Sequence, residues 1–176
     1  MAGSLIKIQE TTVTSGNAVT LSGIDSTYDV YMVKGNNIQN TTDGEDLFAR
    51  VTKDDSGTPT PQTTANYDGA YKLLRNDTTF GNVADSGLTY YRLFDGLGNA
   101  TGEAGNIIMY LFNFNNSSEY SFMTLESVYM HLTIPNLGRQ GGAVYKVAEA
   151  HNGIQFFLEN SDNFTNATFT LYGLKK

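Results

Sequence analysis

Two histidines are the first residues that could do chemistry. His131 stands between Met130 and Leu132, and His151 precedes Asn152-Gly153. A nucleophile–histidine–carboxylate set is assembled in space, so distance along the chain excludes nothing by itself. No Gly-x-Ser-x-Gly elbow accompanies either histidine. His131 is expected in a strand, as a surface or buried hydrogen-bonded residue, and His151 in a turn. The chain has no cysteine, and two isolated histidines make a poor zinc site.

Carboxylates cluster twice, at Asp43, Glu45 and Asp46 and again at Asp54 and Asp55. Such loops can offer oxygens to calcium. A carboxylate pair can also hydrolyse glycosides when one member has a raised pKa in a cleft. Neither run has the Asp-x-Asp-x-Asp-Gly spacing, and both are expected to be solvated loops. Gly96-Leu97-Gly98-Asn99-Ala100-Thr101-Gly102 looks superficially like a phosphate loop. It lacks the Gly-Lys-Ser/Thr ending and no helical pattern follows it, so it is rejected as a nucleotide site. Asn-x-Ser/Thr sequons begin at Asn40, Asn76, Asn99, Asn115, Asn116, Asn163 and Asn166, as chance provides in a chain this rich in Asn and Thr. Among the aromatics, Tyr90, Tyr91 and Tyr120 are candidates for an exposed sugar-binding platform; the others alternate within strands and read as core or interface. The expectation is therefore no catalytic residue, no cofactor and no metal.

The elements that would position these residues read as short strands between turn clusters. Leu5 to Val13 alternates, Ser15-Gly16-Asn17 turns, and Val19 and Leu21 return, which predicts a hairpin. Tyr28 to Val33 is apolar on both faces and is expected to be central, ending at Gly35-Asn36-Asn37. Leu47 to Thr52 is half-buried. Lys53 to Asn66, with Pro59 and Pro61, reads as a long exposed loop. A short strand or helical turn follows over Tyr67 to Leu74, and residues 75–87 read as loop or one helical turn. Leu88 to Phe94 is a strand and Asp95 to Asn106 a glycine-rich loop. Ile107 to Phe114 is the most apolar stretch, and Asn115-Asn116-Ser117-Ser118 turns it into Glu119 to Met123. Val128 to Ile134 is expected to end at Pro135. Gly141 to Ala148, Gly153 to Leu158 and Thr165 to Tyr172 complete the chain, the first two joined by an Asn152-Gly153 hairpin signal. About ten or eleven strands at roughly ten-residue spacing predict an all-β, two-sheet β-sandwich of jelly-roll type. One domain over residues 1–176 is expected, with a short N-terminal strand or arm over about residues 1–14.

Composition agrees. The 176 residues include 21 Thr, 18 Gly, 17 Asn and 11 Ser, and only 16% are charged. Thr, Tyr and Phe suit pleated, half-buried surfaces, while Gly and Asn suit tight turns. A net charge of −7 repels phosphate backbones, so nucleic acid is not an expected partner. No run of about 18 apolar residues is present, so no membrane helix is expected. Lys7 and Glu10 interrupt the N-terminal segment, which does not read as a signal peptide. The chain is therefore expected to be made and left in a cytosol, unless it travels as part of an assembly.

Four segments carry a resemblance. Ser4-Leu5-Ile6-Lys7-Ile8-Gln9-Glu10, Gly23-Ile24-Asp25-Ser26-Thr27-Tyr28-Asp29-Val30-Tyr31-Met32-Val33 and Tyr67-Asp68-Gly69-Ala70-Tyr71-Lys72 resemble small β-rich structural proteins of tailed, notably marine, bacteriophages. The ending Ala167-Thr168-Phe169-Thr170-Leu171-Tyr172-Gly173-Leu174-Lys175 is similar to the final strand of such proteins. These motifs are structural and name no site. The resemblance implies a virion component, first of all an outer capsid decoration or cement protein, with a tail or fibre adaptor as the alternative. A carbohydrate-binding or hydrolytic β-sandwich is the reading from another class. The expected partners are further copies of the chain, a trimer first, and major capsid or tail proteins. Apolar side chains on both faces of Tyr28 to Val33 and Ile107 to Phe114 point the same way, because they exceed what one core needs if either strand faces outward.

Overall fold

The computed structural model describes residues 4–77, 79–134 and 136–175. Two antiparallel sheets pack face to face, so the protein is an all-β sandwich. Thirteen strands occur among the described residues, more than the ten or eleven expected. They are β1 (Leu5–Val13), β2 (Ala18–Ser22), β3 (Val30–Asn40), β4 (Leu47–Asp55), β5 (Thr58–Pro61), β6 (Tyr67–Arg75), β7 (Gly81–Leu88), β8 (Tyr91–Arg92), β9 (Gly105–Phe112), β10 (Ser121–Tyr129), β11 (Leu137–Tyr145), β12 (Gly153–Leu158) and β13 (Phe164–Leu174). One 3₁₀ turn, Glu159–Ser161, precedes β13.

The large sheet has the order β1-β13-β3-β9-β10-β11-β6-β7, and the small sheet β2-β12-β4-β5, with β8 also paired to β4. A nested order underlies both. β1 pairs β13, β2 pairs β12, β3 pairs β9 and β4 pairs β5, from the outside inward, and successive pairs alternate between the sheets. That is a long antiparallel hairpin rolled up on itself, the jelly-roll arrangement. The strands β10, β11, β6 and β7 extend the large sheet beyond β9.

Period-two alternation explains the core. β9 buries Ile107, Met109 and Leu111 and turns Ile108 and Tyr110 outward; β13 buries Ala167, Phe169 and Leu171; β12 buries Ile154, Phe156 and Leu158. Phe169 of the large sheet stacks on Phe156 of the small one, 4.5 Å apart and 13° from parallel.

Several expectations are corrected. β1 and β2 are not a hairpin: they lie in different sheets, and residues 14–17 arch between them. Neighbouring strands pair in only about two-thirds of cases, and here each is claimed by a late strand. Of the two forms expected for the N-terminal segment, residues 5–13 take that of a strand, at the edge of the large sheet; residues 1–3 lie outside the described residues. The Asn152-Gly153 signal is not a hairpin either. β12 joins β2 and β4, and a Cβ on Gly153 would lie 2.2 Å from the Leu21 carbonyl, so only glycine permits that approach. Gly35-Asn36-Asn37 does not stop β3. Asn37 takes a left-handed conformation (φ 51°) within a register shift between Gly35 and Ile38, and the strand continues to Asn40.

The expected loop from Lys53 is largely a hairpin. Ser56 and Gly57 both have positive φ (53° and 88°), as a two-residue type I′ turn requires. Pro59 and Pro61 are tolerated because β5 is an edge strand. Tyr67 to Leu74 resolves as strand β6, and residues 81–88 form the edge strand β7. The segment Leu88 to Phe94 holds only the last residue of β7 and the two-residue β8. β10 ends at Tyr129, so the strand expected over Val128 to Ile134 is absent as such; Pro135 lies outside the described residues.

Candidate functional site

His131 lies beyond β10 and makes only an isolated bridge with Leu97. Its Nδ1 accepts the backbone N–H of Thr133 (3.0 Å) and of Ile134 (3.2 Å), which ties the turn to the ring. Burial lowers its pKa.

His151 is the histidine that meets a hydroxyl and a carboxylate. Ser121 Oγ lies 2.8 Å from Nδ1, and Glu149 Oε1 lies 3.5 Å from Nε2. Lys53 Nζ donates to the other Glu149 oxygen at 2.6 Å. Ser121 and His151 are both wholly buried, and the rings of Phe114 and Tyr145 flank the imidazole. A hydroxyl sealed in this way positions a turn between the two sheets. Burial holds the His151 pKa down at about 4.

The resulting pH dependence has a definite sign. Unfolded His151 takes up a proton below its ordinary value near 6.5, whereas the folded imidazole resists until about 4. Its contribution is whole above pH 6.5 and is lost as pH falls from 6.5 to 4, on the order of 3 kcal/mol. Asp46 acts oppositely. Burial raises it to about 6, so its folded site weakens as pH rises from about 4 to 6. The test is therefore a difference. Urea unfolding of the wild type and of His151→Gln at pH 7 and pH 4.5 should show the variant gaining about 2–3 kcal/mol relative to wild type at the lower pH. A gap that does not move with pH would contradict this.

Among the described residues no group of three or more His, Cys, Asp or Glu is placed to hold a metal ion. Asp43 accepts the Asn99 N–H, Glu45 accepts Asn160 Nδ2, and Asp46 accepts the Gly96 N–H at 2.8 Å and pairs with Arg92 at 3.0 Å. The glycine loop thus folds around a carboxylate of its own chain. Asp54 and Asp55 sit exposed at the end of β4. Behind Arg92, a second arginine, Arg139, is fully buried. It donates to the Arg92 carbonyl (3.1 Å), lies 3.8 Å from Asp95 and faces the Tyr71 ring. Arg92 Nε is 3.7 Å from Asp85.

Two surfaces stand out. The first is the outer face of the large sheet. Leu74, Ile108, Tyr110, Phe122 and Val128 are each 39–50% exposed there. In register, Ile108 faces Glu126 and Lys34, Tyr110 faces Thr124 and Met32, and Phe112 faces Phe122. Gly138 and Gly142 of β11 continue the rows of Val128 and Thr124. A shallow depression of about 430 Å³ opens among Lys34, Leu74, Ile108, Glu126 and Val128. Alternation in Ile107 to Phe114 had marked this face; Leu74, Phe122 and Val128 join it only through the β10-β11-β6 extension.

The second is a groove of about 470 Å³ on the small sheet, lined by Arg50, Tyr90, Gln155, Phe157, Glu159 and Asn160 among others. Tyr90 stacks on Phe48 at 4.0 Å, and the Arg50 guanidinium lies 4.1 Å over Phe157 while its Nε donates to the Thr89 carbonyl. Of the expected aromatic platform residues, Tyr90 is half-buried in this groove, Tyr91 is buried, and Tyr120 is exposed elsewhere. Arg50 and Phe157 lie far apart in sequence, and only strand pairing reveals them as neighbours. No protein-family model matches the chain, and no curated protein matches it.

Proposed function

We propose that this protein is a virion structural component of a tailed bacteriophage, an outer capsid decoration or cement protein that works by multivalent packing and has no enzymatic activity. The observation that carries the reading is the uncovered apolar face of the large sheet. A row of large apolar side chains across a broad sheet costs solvation unless something covers it. Many weak copies on a lattice gain from avidity what each contact lacks. The resemblance of its N-terminal, β3, β6 and C-terminal segments to phage structural proteins supports the same reading. Its partners would be further copies and major capsid or tail proteins, not nucleic acid or membrane.

The experiment is occupancy on particles. Virions carrying the labelled protein should show it by electron cryomicroscopy at repeated sites over the head, in copy numbers commensurate with the capsid lattice. A few copies at the tail alone would favour the adaptor alternative, and absence from particles would end the proposal.

A second reading, a receptor-facing sugar-binding module, draws on the Tyr90 groove. It offers an aromatic ring with donors and acceptors of balanced charge, Arg50 against Glu159, which suits a neutral polyol. Saturable binding of cellohexaose or chitohexaose, lost in Tyr90→Ala, would favour it.

A further inference from the structure

Along one register row of the outer face of the large sheet, the charges are arranged antisymmetrically about β9. One register row crosses seven strands: Glu10 on β1, Thr170 on β13, Lys34 on β3, Ile108 on β9, Glu126 on β10, Gln140 on β11 and Lys72 on β6. Residues at equal distance from Ile108 are opposite in charge or both neutral. Lys34 mirrors Glu126 one strand away, Thr170 mirrors Gln140 two away, and Glu10 mirrors Lys72 three away. The adjacent row has Tyr110 at its centre, with bulky Tyr172 on one side mirrored by Gly142 on the other. Among the described residues, Lys34, Glu126 and Lys72 have no ion-pair partner within the chain.

We infer that this face pairs with the same face of a second copy across a two-fold axis running along β9. The inference rests on reading the face as an interface and names its occupant. A two-fold axis lying between stacked sheets and parallel to β9 brings each residue over its mirror position in the row. Lys34 then meets Glu126 of the other copy, twice, and Tyr172 lies over the side-chain-free Gly142. Ile108 and Tyr110 meet their own counterparts on the axis. Strands are spaced about 4.8 Å apart and stacked sheets about 10 Å, so the Lys34–Glu126 pairs lie within side-chain reach. Sheet twist separates the faces further out, and Glu10 already pairs with Lys7 of its own chain at 3.3 Å, so the Glu10–Lys72 pairs contribute little. An isologous contact of this kind is self-complementary and closes at two copies. A three-fold ring would need two different patches that complement each other, and this face complements itself.

Charge reversal tests the geometry. Sedimentation equilibrium of the wild type should give twice the chain mass. Lys34→Glu and Glu126→Lys should each associate about tenfold or more weakly, because each places like charges opposite one another. An equimolar mixture of the two should recover the dimer, since one chain then carries only acids at these positions and the other only bases. Ile108→Asp, on the axis, should be monomeric with an unchanged far-ultraviolet spectrum. A wild-type monomer at millimolar concentration, a three-chain mass, a mixture that stays monomeric, or an unaffected Ile108→Asp dimer would each overturn the inference. A monomer that still decorates particles would sink this contact and leave the capsid reading standing. A dimer that never appears on particles would do the reverse.

Discussion

Replacing Phe169 by alanine is expected to destabilise the protein by about 3–5 kcal/mol. The ring is wholly buried. It stacks on Phe156 from the opposite sheet and meets Phe164 edge-on at 5.9 Å. Removing it therefore opens a cavity where the two layers touch, and the neighbouring strands are too constrained by their ladders to collapse into it. Against a total stability of about 5–15 kcal/mol, that is a large share. For a chain of this length it lowers the melting temperature by roughly 6–20 °C. Phe169→Leu, which keeps most of the volume, should cost about 1–2 kcal/mol. Calorimetry of the two variants distinguishes them, and equal losses would show that Phe169 does not hold the layers together through its ring.

Replacing Arg92 by alanine should cost a similar amount, about 3–5 kcal/mol, for a different reason. Asp46 and Asp85 are both nearly buried, and Arg92 is the cation between them, 3.0 Å from one and 3.7 Å from the other. Without it the Asp46 carboxylate is left uncompensated in the interior, where burial already raises its pKa to about 6. Adding Asp46→Asn removes that charge and leaves an oxygen for the Gly96 N–H. The double variant should therefore recover a measurable part of the loss, giving a coupling energy of about 1–3 kcal/mol in a double-mutant cycle. Strict additivity in urea unfolding would mean that the pair does not act as one unit.

The alternation in β9, β12 and β13 was legible because period two is written directly in Ile107–Met109–Leu111, Ile154–Phe156–Leu158 and Ala167–Phe169–Leu171. Which sheet each strand joins was not. The turn residues after Val13 look the same whether the chain doubles back or arches across, and only the later claim of β13 on β1 decides it. β7 escaped notice because Gly81-Asn82-Val83-Ala84-Asp85-Ser86-Gly87-Leu88 has few β-branched or aromatic residues, and an edge strand needs few. The interior arginines were equally hidden. Nothing in the sequence singles out Arg92 or Arg139, and their acids come from three separate places: the residue just before β4, β7, and the loop after β8. The exposed face was half legible: the sequence marks Ile108 and Tyr110, but the mirror order of Lys34 and Glu126 exists only once β3, β9 and β10 are in register.

The position of β13 has a kinetic consequence. It lies between β1 and β3, although those strands come more than a hundred residues earlier in the chain. During synthesis, β1 and β3 must therefore wait with bare hydrogen-bonding edges until residues 164–174 leave the ribosome. Pairings this distant make folding slow, because loop closure precedes the contacts that reward it. The nascent chain has its greatest tendency to aggregate in that interval. The strand that completes the large sheet is also the one that ends the hazard.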